Sequence, residues 1–309
     1  MKKDLCSISD LTRDEIYQLF ARSRALKEEL KTSAQLSTLK GKVVALVFEK
    51  PSLRTRVTFE VAAYSLGGNA TYLSPSDIGL GKRESVKDVA NNLSLWVSAV
   101  VARTFAHSTV LDLAQYAKIP VINALSDLEH PCQVLADFLT IFEQRDKIEK
   151  TQIAWVGDGN NVCHSLLLGS AILGANLRVA TPKGYEPKRE IVNHALELAK
   201  ATKSEITLSN DPVAAVKNSE YIYTDTWVSM GEESQAQMKK HAFAEFQVND
   251  KLLKNAASDY KVMHCLPAHR GEEITDEVLD GSHSIILTQA ENRLHIQRAI
   301  IAELLGTSS

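Results

Sequence analysis

The chain has 309 residues, with 35 Lys and Arg against 38 Asp and Glu, a formal net charge of −3 and 44% hydrophobic residues. This composition excludes a disordered, highly charged tail protein, and 14 Gly, 8 Pro and 4 Cys exclude collagen-like and disulfide-scaffold classes. The near-balanced charge argues against nucleic acid as the main partner, which needs a net basic face, and the length exceeds what one core usually fills, so two domains are expected.

In chain order, Thr12-Arg13-Asp14-Glu15 reads as a capping box that opens a helix, with Leu11, Ile16, Leu19, Phe20 and Leu26 at helical spacing. KVVALVF (42–48) is a β-branched strand, and 54–66 reads as a helix stopped by Gly67-Gly68. NATYL (69–73), VSAVVART (97–104) and PVINA (120–124) are further strands, and 130–145 is a helix. A charged link, 146–150, follows. Strands are then expected at 152–157, 176–181, 205–209, 221–227, 260–266 and 284–290, before a last helix over 291–305. Short strands that are apolar on both faces and alternate with helices predict an α/β fold of two doubly wound parallel-sheet domains. The expected boundary lies near 146.

Met1-Lys2-Lys3-Asp4 leads into no apolar run of the signal-peptide kind. No stretch approaches the roughly 18 apolar residues of a membrane span. Cys6, Cys132, Cys163 and Cys265 are far apart with no C-x-x-C pair, so free thiols in a reducing cytosol are expected.

In open parallel sheets ligands bind beyond the carboxyl ends of the strands, and the unusual polar residues lie there. Ser52-Leu53-Arg54-Thr55-Arg56 runs from a strand into a helix. Free backbone N–H groups, the positive end of the dipole and two guanidinium forks suit an anion, phosphate in particular. The plainer reading, a solvated basic helix start, places two Arg against the dipole. Arg103 ends a strand and could equally be a surface ion pair. His130 and Gln133 share a helix face behind Pro131 and could bond one carbonyl or amide, or His130 could simply cap the helix.

Gly157-Asp158-Gly159-Asn160-Asn161-Val162 resembles a dinucleotide loop only weakly. Val162 replaces the third glycine, and strand 176–181 ends in Thr181-Pro182 instead of an acidic ribose partner. A tight turn exposing Asn161 fits better. Asp225 through Ser229-Met230-Gly231 could grip an amino acid, Asp225 taking the ammonium, or could be a plain loop. His264-Cys265 with His269 invites a zinc reading, but adjacent residues at a strand end point to opposite faces. A Cys265 thiol near cations could instead help move a proton. Arg293 opens the last helix and could return to the phosphate residues or lie on the surface.

Taken together and in order, Ser52-Leu53-Arg54-Thr55-Arg56, Arg103, His130-Pro131-Cys132-Gln133, Asp225 with Ser229-Met230-Gly231, and His264-Cys265-Leu266-Pro267 closely resemble the aspartate/ornithine transcarbamoylase family over essentially the whole chain. Cys132, Cys265 and the Ser-Met-Gly triplet point to its ornithine branch. The resemblance implies carbamoyl transfer from carbamoyl phosphate to the δ-amine of L-ornithine, giving L-citrulline and phosphate in arginine metabolism, in a direction, biosynthetic or catabolic, that the sequence leaves open. It implies a carbamoyl phosphate domain over 1–146, joined by the returning closing helix 291–309, and an ornithine domain over 147–290.

By the same resemblance Ser52, Leu53, Arg54, Thr55, Arg56, Arg103, His130, Gln133, Cys265, Leu266 and Arg293 hold carbamoyl phosphate, with the four Arg converging on it. Asn161, Asp225, Ser229 and Met230 hold ornithine, and Arg103, His130 and Cys265 are catalytic. Carbamoyl phosphate is already activated, so no metal or organic cofactor is expected. The family implies a cytoplasmic homotrimer, or a multiple of trimers, whose loop 74–84 reaches a neighbouring site. Two positions depart from the pattern: Leu53 stands where many members have Thr, and Gly79 where many carry a Gln.

Three alternatives compete. A dinucleotide oxidoreductase leaves Ser52 to Arg56, Arg103 and His130 unexplained. A non-catalytic amino-acid-binding protein should have lost some phosphate or thiol residues. A carbamoyltransferase with another acceptor such as putrescine is opposed by Ser229-Met230-Gly231.

Overall fold

The Thr12 capping box forms: Thr12 N–H donates to the Glu15 carboxylate at 2.8 Å, and Glu15 N–H to Thr12 Oγ1 at 3.3 Å. It opens α1 (Arg13–Lys31), whose Ile16, Leu19, Phe20 and Leu26 are fully buried. The structure, a computed structural model, describes residues 1–31, 36–81, 83–229, 231 and 233–306. It divides into two units, Met1–Leu139 with Glu291–Ser309, and Thr140–Ala290.

In the first unit the elements run β1 (Val43–Phe48), α2 (Leu53–Ser65), β2 (Asn69–Leu73), α3 (Pro75–Ile78), α4 (Val86–Trp96), β3 (Ala99–Arg103), α5 (His107–Tyr116), β4 (Val121–Leu125) and α6 (Pro131–Arg145). The sheet is parallel in the order β2-β1-β3-β4. Its two middle strands are buried along nearly their whole length, as a sheet covered by helices requires. Gly67 stops α2: its φ is +83° and its N–H donates to Tyr64 C=O at 2.9 Å. A Cβ there would lie 2.4 Å from the Leu36 carbonyl oxygen, so space as well as φ demands glycine. Chain order reverses between β1 and β3, which opens a crevice beyond their carboxyl ends. Ser52 to Arg56 follows β1, and Arg103 ends β3, where a register shift against β4 re-aims the strand end.

The second unit runs β5 (Gln152–Val156), α7 (Asn161–Leu173), β6 (Asn176–Ala180), α8 (Arg189–Thr202), β7 (Ile206–Ser209), α9 (Pro212–Val216), β8 (Tyr221–Thr224), α10 (Ala236–Ala242), α11 (Asp250–Leu253), β9 (Lys261–His264) and α12 (Asp276–Leu279). The final helix, α13 (Ile286–Leu305), carries the division between units, as α6 does. The second sheet is parallel in the order β7-β6-β5-β8-β9. Its switch point lies between β5 and β8, so the Gly157–Asn161 turn and Asp225 flank one crevice. Among the described residues no helix is long and apolar enough to cross a membrane.

The expected strand at 284–290 is wrong. Only Ser284 bridges Val262, and Ile285 N–H donates to Val262 C=O at 3.0 Å. The chain then coils into α13, with Gln289 N–H on Ile285 C=O at 2.9 Å. A short apolar run does not separate a buried helix start from a strand, because both bury consecutive apolar residues. Within 74–84, α3 forms a capped turn ending at Gly79, whose φ is +50°. A Cβ on Gly79 would sit 2.9 Å from Arg83 Cβ.

Candidate active site

In the first unit Ser52 is the N-cap of α2, its Oγ accepting from Thr55 N–H at 3.3 Å. Thr55 is buried, and its Oγ1 accepts from Arg293 Nη2 at 2.9 Å, which joins residues 238 apart in sequence. His130 is buried in the same neighbourhood. Burial first, then the charges of Arg293 and Arg103, push its pKa well below the ordinary 6.5. The imidazole is therefore neutral near pH 7, a hydrogen-bond donor flanked by two cations. Gln133 is buried with its Nε2 on Asp137 Oδ1 at 2.8 Å. That commits the amide nitrogen and leaves Oε1 as an acceptor with no partner among the described residues.

The structure thus gathers Thr55, Arg103, His130 and Arg293. Arg54 is half-buried at the start of α2. Arg56 points elsewhere: its Nε meets Glu60 Oε1 at 3.0 Å, and its guanidinium lies 3.9 Å from the Tyr72 ring centre. Leu53 is 75% exposed. Cys132 is enclosed, its thiol on Asn123 C=O at 3.4 Å and pushed up to about 12 by burial, so it is a packing residue.

In the second unit Asp225 is the focus. Its Oδ1 accepts from the Cys265 thiol at 2.9 Å and from Thr226 N–H at 2.8 Å, and its Oδ2 from Asn160 Nδ2 at 2.8 Å. Asn160 is also the N-cap of α7, its Oδ1 accepting from Val162 and Cys163 N–H. Sequence reasoning named Asn161, the half-buried first residue of α7, and missed Asn160; the signal was an Asn in N-cap position. Gly159 serves packing, since a Cβ would lie 2.3 Å from Pro187 N. Ser229 is half-buried. Met230 lies outside the described residues.

The thiol's partner is the Asp225 carboxylate, the neighbour expected to act with it on the amine proton. Opposite-face placement of His264 and Cys265 fails, because β9 ends at His264 and strand alternation stops there. A ligand atom from each of Asp225, His264 and Cys265 lies within 4.8 Å of the others. The His264 ring is nevertheless fully used: Nδ1 accepts from Leu266 N–H at 2.8 Å, and Nε2 meets buried Glu273 Oε1 at 3.1 Å. No ring lone pair is left for a metal, so the donor set does not fit one. Instead His264 holds Leu266 at φ +59°, ahead of a cis peptide to Pro267.

The family model for the aspartate/ornithine carbamoyltransferase carbamoyl-P binding domain matches residues 3–143, and that for the Asp/Orn binding domain matches 149–304. An ornithine carbamoyltransferase of Methanosarcina acetivorans is 52% identical over 305 residues, 99% of this chain and 100% of that one. The Pyrococcus furiosus protein named ornithine carbamoyltransferase, anabolic, is 47% identical over 98% of this chain and 96% of its own length. A solved ornithine carbamoyltransferase structure from P. furiosus superposes with a TM-score of 0.96 at 46% identity, covering 99% of this chain and 98% of that one. One from Thermus thermophilus gives 0.89 at 44% identity, covering 99% of each.

Proposed function

The chain belongs to the aspartate/ornithine carbamoyltransferase family, and on that premise we propose that it transfers the carbamoyl group of carbamoyl phosphate to the δ-amine of L-ornithine. The products are L-citrulline and phosphate. The observation that carries the chemistry is His130, neutral and buried beside Arg103 and Arg293. A neutral imidazole N–H with two fixed cations suits the oxygen on which charge develops as an amine attacks a carbonyl.

In this reading Ser52, Leu53, Arg54 and Thr55 supply the phosphate cradle at the start of α2, with Arg293 beside Thr55, and Arg56 joins it by turning away from Glu60 and Tyr72. Arg103 and His130 polarise the carbonyl. The Gln133 oxygen, the acceptor left over by Asp137, takes the carbamoyl amide N–H. Cys265 and Leu266 complete the carbamoyl phosphate contacts. Asn161, Asp225, Ser229 and Met230 take the α-amino and carboxylate groups of ornithine.

The neutral δ-amine forms the new C–N bond and the C–O bond to phosphate breaks. The proton lost by the amine leaves with the departing phosphate, and the Cys265 thiol with Asp225 steers it. No step calls for a metal or organic cofactor.

The assembly is a homotrimer or a multiple of trimers. Leu53, Val57, Val61 and Tyr64 form an exposed apolar stripe along α2, which supports burial against another copy. The protein works in the cytoplasm and in the biosynthetic direction. Free cysteines and the relative named anabolic support these two assignments. The test is a ureido assay with carbamoyl phosphate and four acceptors: ornithine, putrescine, N-acetylornithine and aspartate. Ornithine is expected to be turned over at least tenfold faster than the others. A preference for putrescine would establish the competing acceptor and overturn this one.

A further inference from the structure

One ion pair in the second unit is used by none of the chemistry above. Lys239, on α10, donates from Nζ to Asp158 Oδ2 at 2.7 Å, and the two side chains are only 3% and 11% exposed. Removing both charges from water is costly, and apolar side chains of similar volume would fill the space without that cost. Stability alone is therefore a weak account of the pair. Its surroundings supply a better one.

Asp158 lies in the turn between β5 and α7, where the Trp155 indole N–H donates to its carbonyl at 2.9 Å. Gly159 N–H donates to Tyr185 C=O, also at 2.9 Å. Two residues after Asp158, Asn160 caps α7 and donates to the Asp225 carboxylate. At the other end, Phe243 ends α10 and packs against Tyr185 and Trp227, with ring centres 4.9 and 5.7 Å away. Lys239 thus joins an aromatic-anchored helix to the turn that orients Asp225. A charge-assisted bond fixes direction as well as distance, which an apolar contact does not.

We infer that the Lys239–Asp158 ion pair is a positioning element for the acceptor amino acid, holding the Asn160–Asn161 turn and, through Asn160, the Asp225 carboxylate. The inference rests on the proposed reaction. It assigns the pair to acceptor affinity and not to carbamoyl phosphate binding, whose proposed phosphate and carbonyl contacts lie mainly on other elements.

The experiment measures both substrate KM values in the full chain for wild type, K239M, K239R, D158N and the double variant K239M/D158L. Circular dichroism and gel filtration check the fold. Expected are a tenfold or greater rise in ornithine KM for K239M and D158N, a carbamoyl phosphate KM within twofold of wild type, and recovery of most of the loss in K239R. If K239M alone does not fold, the double variant, which leaves no unpaired charge, carries the test: a folded double with raised ornithine KM supports the inference. Wild-type ornithine KM in a folded K239M or in the double would overturn it. So would equal changes in both KM values. A wild-type enzyme that does not use ornithine at all would refute the proposed reaction instead.

Discussion

His130→Ala separates two consequences of one geometry. The imidazole is neutral because burial, reinforced by Arg293 and Arg103, resists its protonation. In the unfolded chain the same group takes a proton near the ordinary 6.5. Below that pH the unfolded state binds one more proton than the folded state, so stability is fully present above pH 6.5 and falls as pH drops. While the folded imidazole stays neutral, each pH unit below 6.5 removes up to about 1.4 kcal/mol. Urea unfolding at fixed protein concentration should therefore show wild type losing more stability than His130→Ala as pH falls below 6.5, by up to about 1.4 kcal/mol per pH unit. The constant cost of the cavity cancels, as do the other groups whose titration the two proteins share, such as His295, also depressed by burial. Turnover should fall by about 10²–10³, the usual effect of removing one donor from a developing oxyanion. Equal pH dependence in the two proteins would refute the neutral, buried imidazole. Unchanged turnover would refute its role as the donor.

Cys265→Ala should lower turnover and alter the pH profile if the thiol steers the amine proton; full turnover with an unchanged profile, measured over pH 6–10, would remove that role. Cys265 is half-buried, whereas burial pushes Cys6 and Cys132 up to about 12 and raises Cys163 well above the ordinary thiol value. A chromogenic disulfide should therefore titrate one thiol per folded chain, at Cys265, and four after denaturation. Glu273→Gln weakens the acceptor that fixes the His264 tautomer, so Leu266 should lose its anchor and carbamoyl phosphate KM should rise severalfold, read by steady-state kinetics. Thr55→Val removes the oxygen on which Arg293 rests. It should cost about 1.5–3 kcal/mol of stability, since a hydrogen bond to a charged group is lost, and calorimetry checks it.

The features legible in the sequence are those set by neighbours. The Thr12 capping box, the Gly67 stop and the buried strands of both sheets follow from residues within a few positions. The placement of Ser52, Arg103, His130 and Asp225 at or beyond the carboxyl ends of strands followed from the short apolar runs that precede them. What stayed hidden depends on partners far along the chain. Nothing near Lys239 distinguishes it from exposed Lys240; the difference is an aspartate 81 residues earlier. Asn160 was overlooked for Asn161 because its tie to Asp225 spans 65 residues. The 284–290 segment misled for another reason: a single rung on Val262 gives it a strand-like start, and the consecutive Ile285 and Ile286 are both buried where the helix begins.

The most direct test of the account is to supply the purified chain with carbamoyl phosphate and L-ornithine and measure citrulline and phosphate in the same samples. The account predicts both, in equal amounts, dependent on both substrates and formed about 10²–10³-fold more slowly in His130→Ala. Phosphate released without citrulline, or neither product, would contradict it.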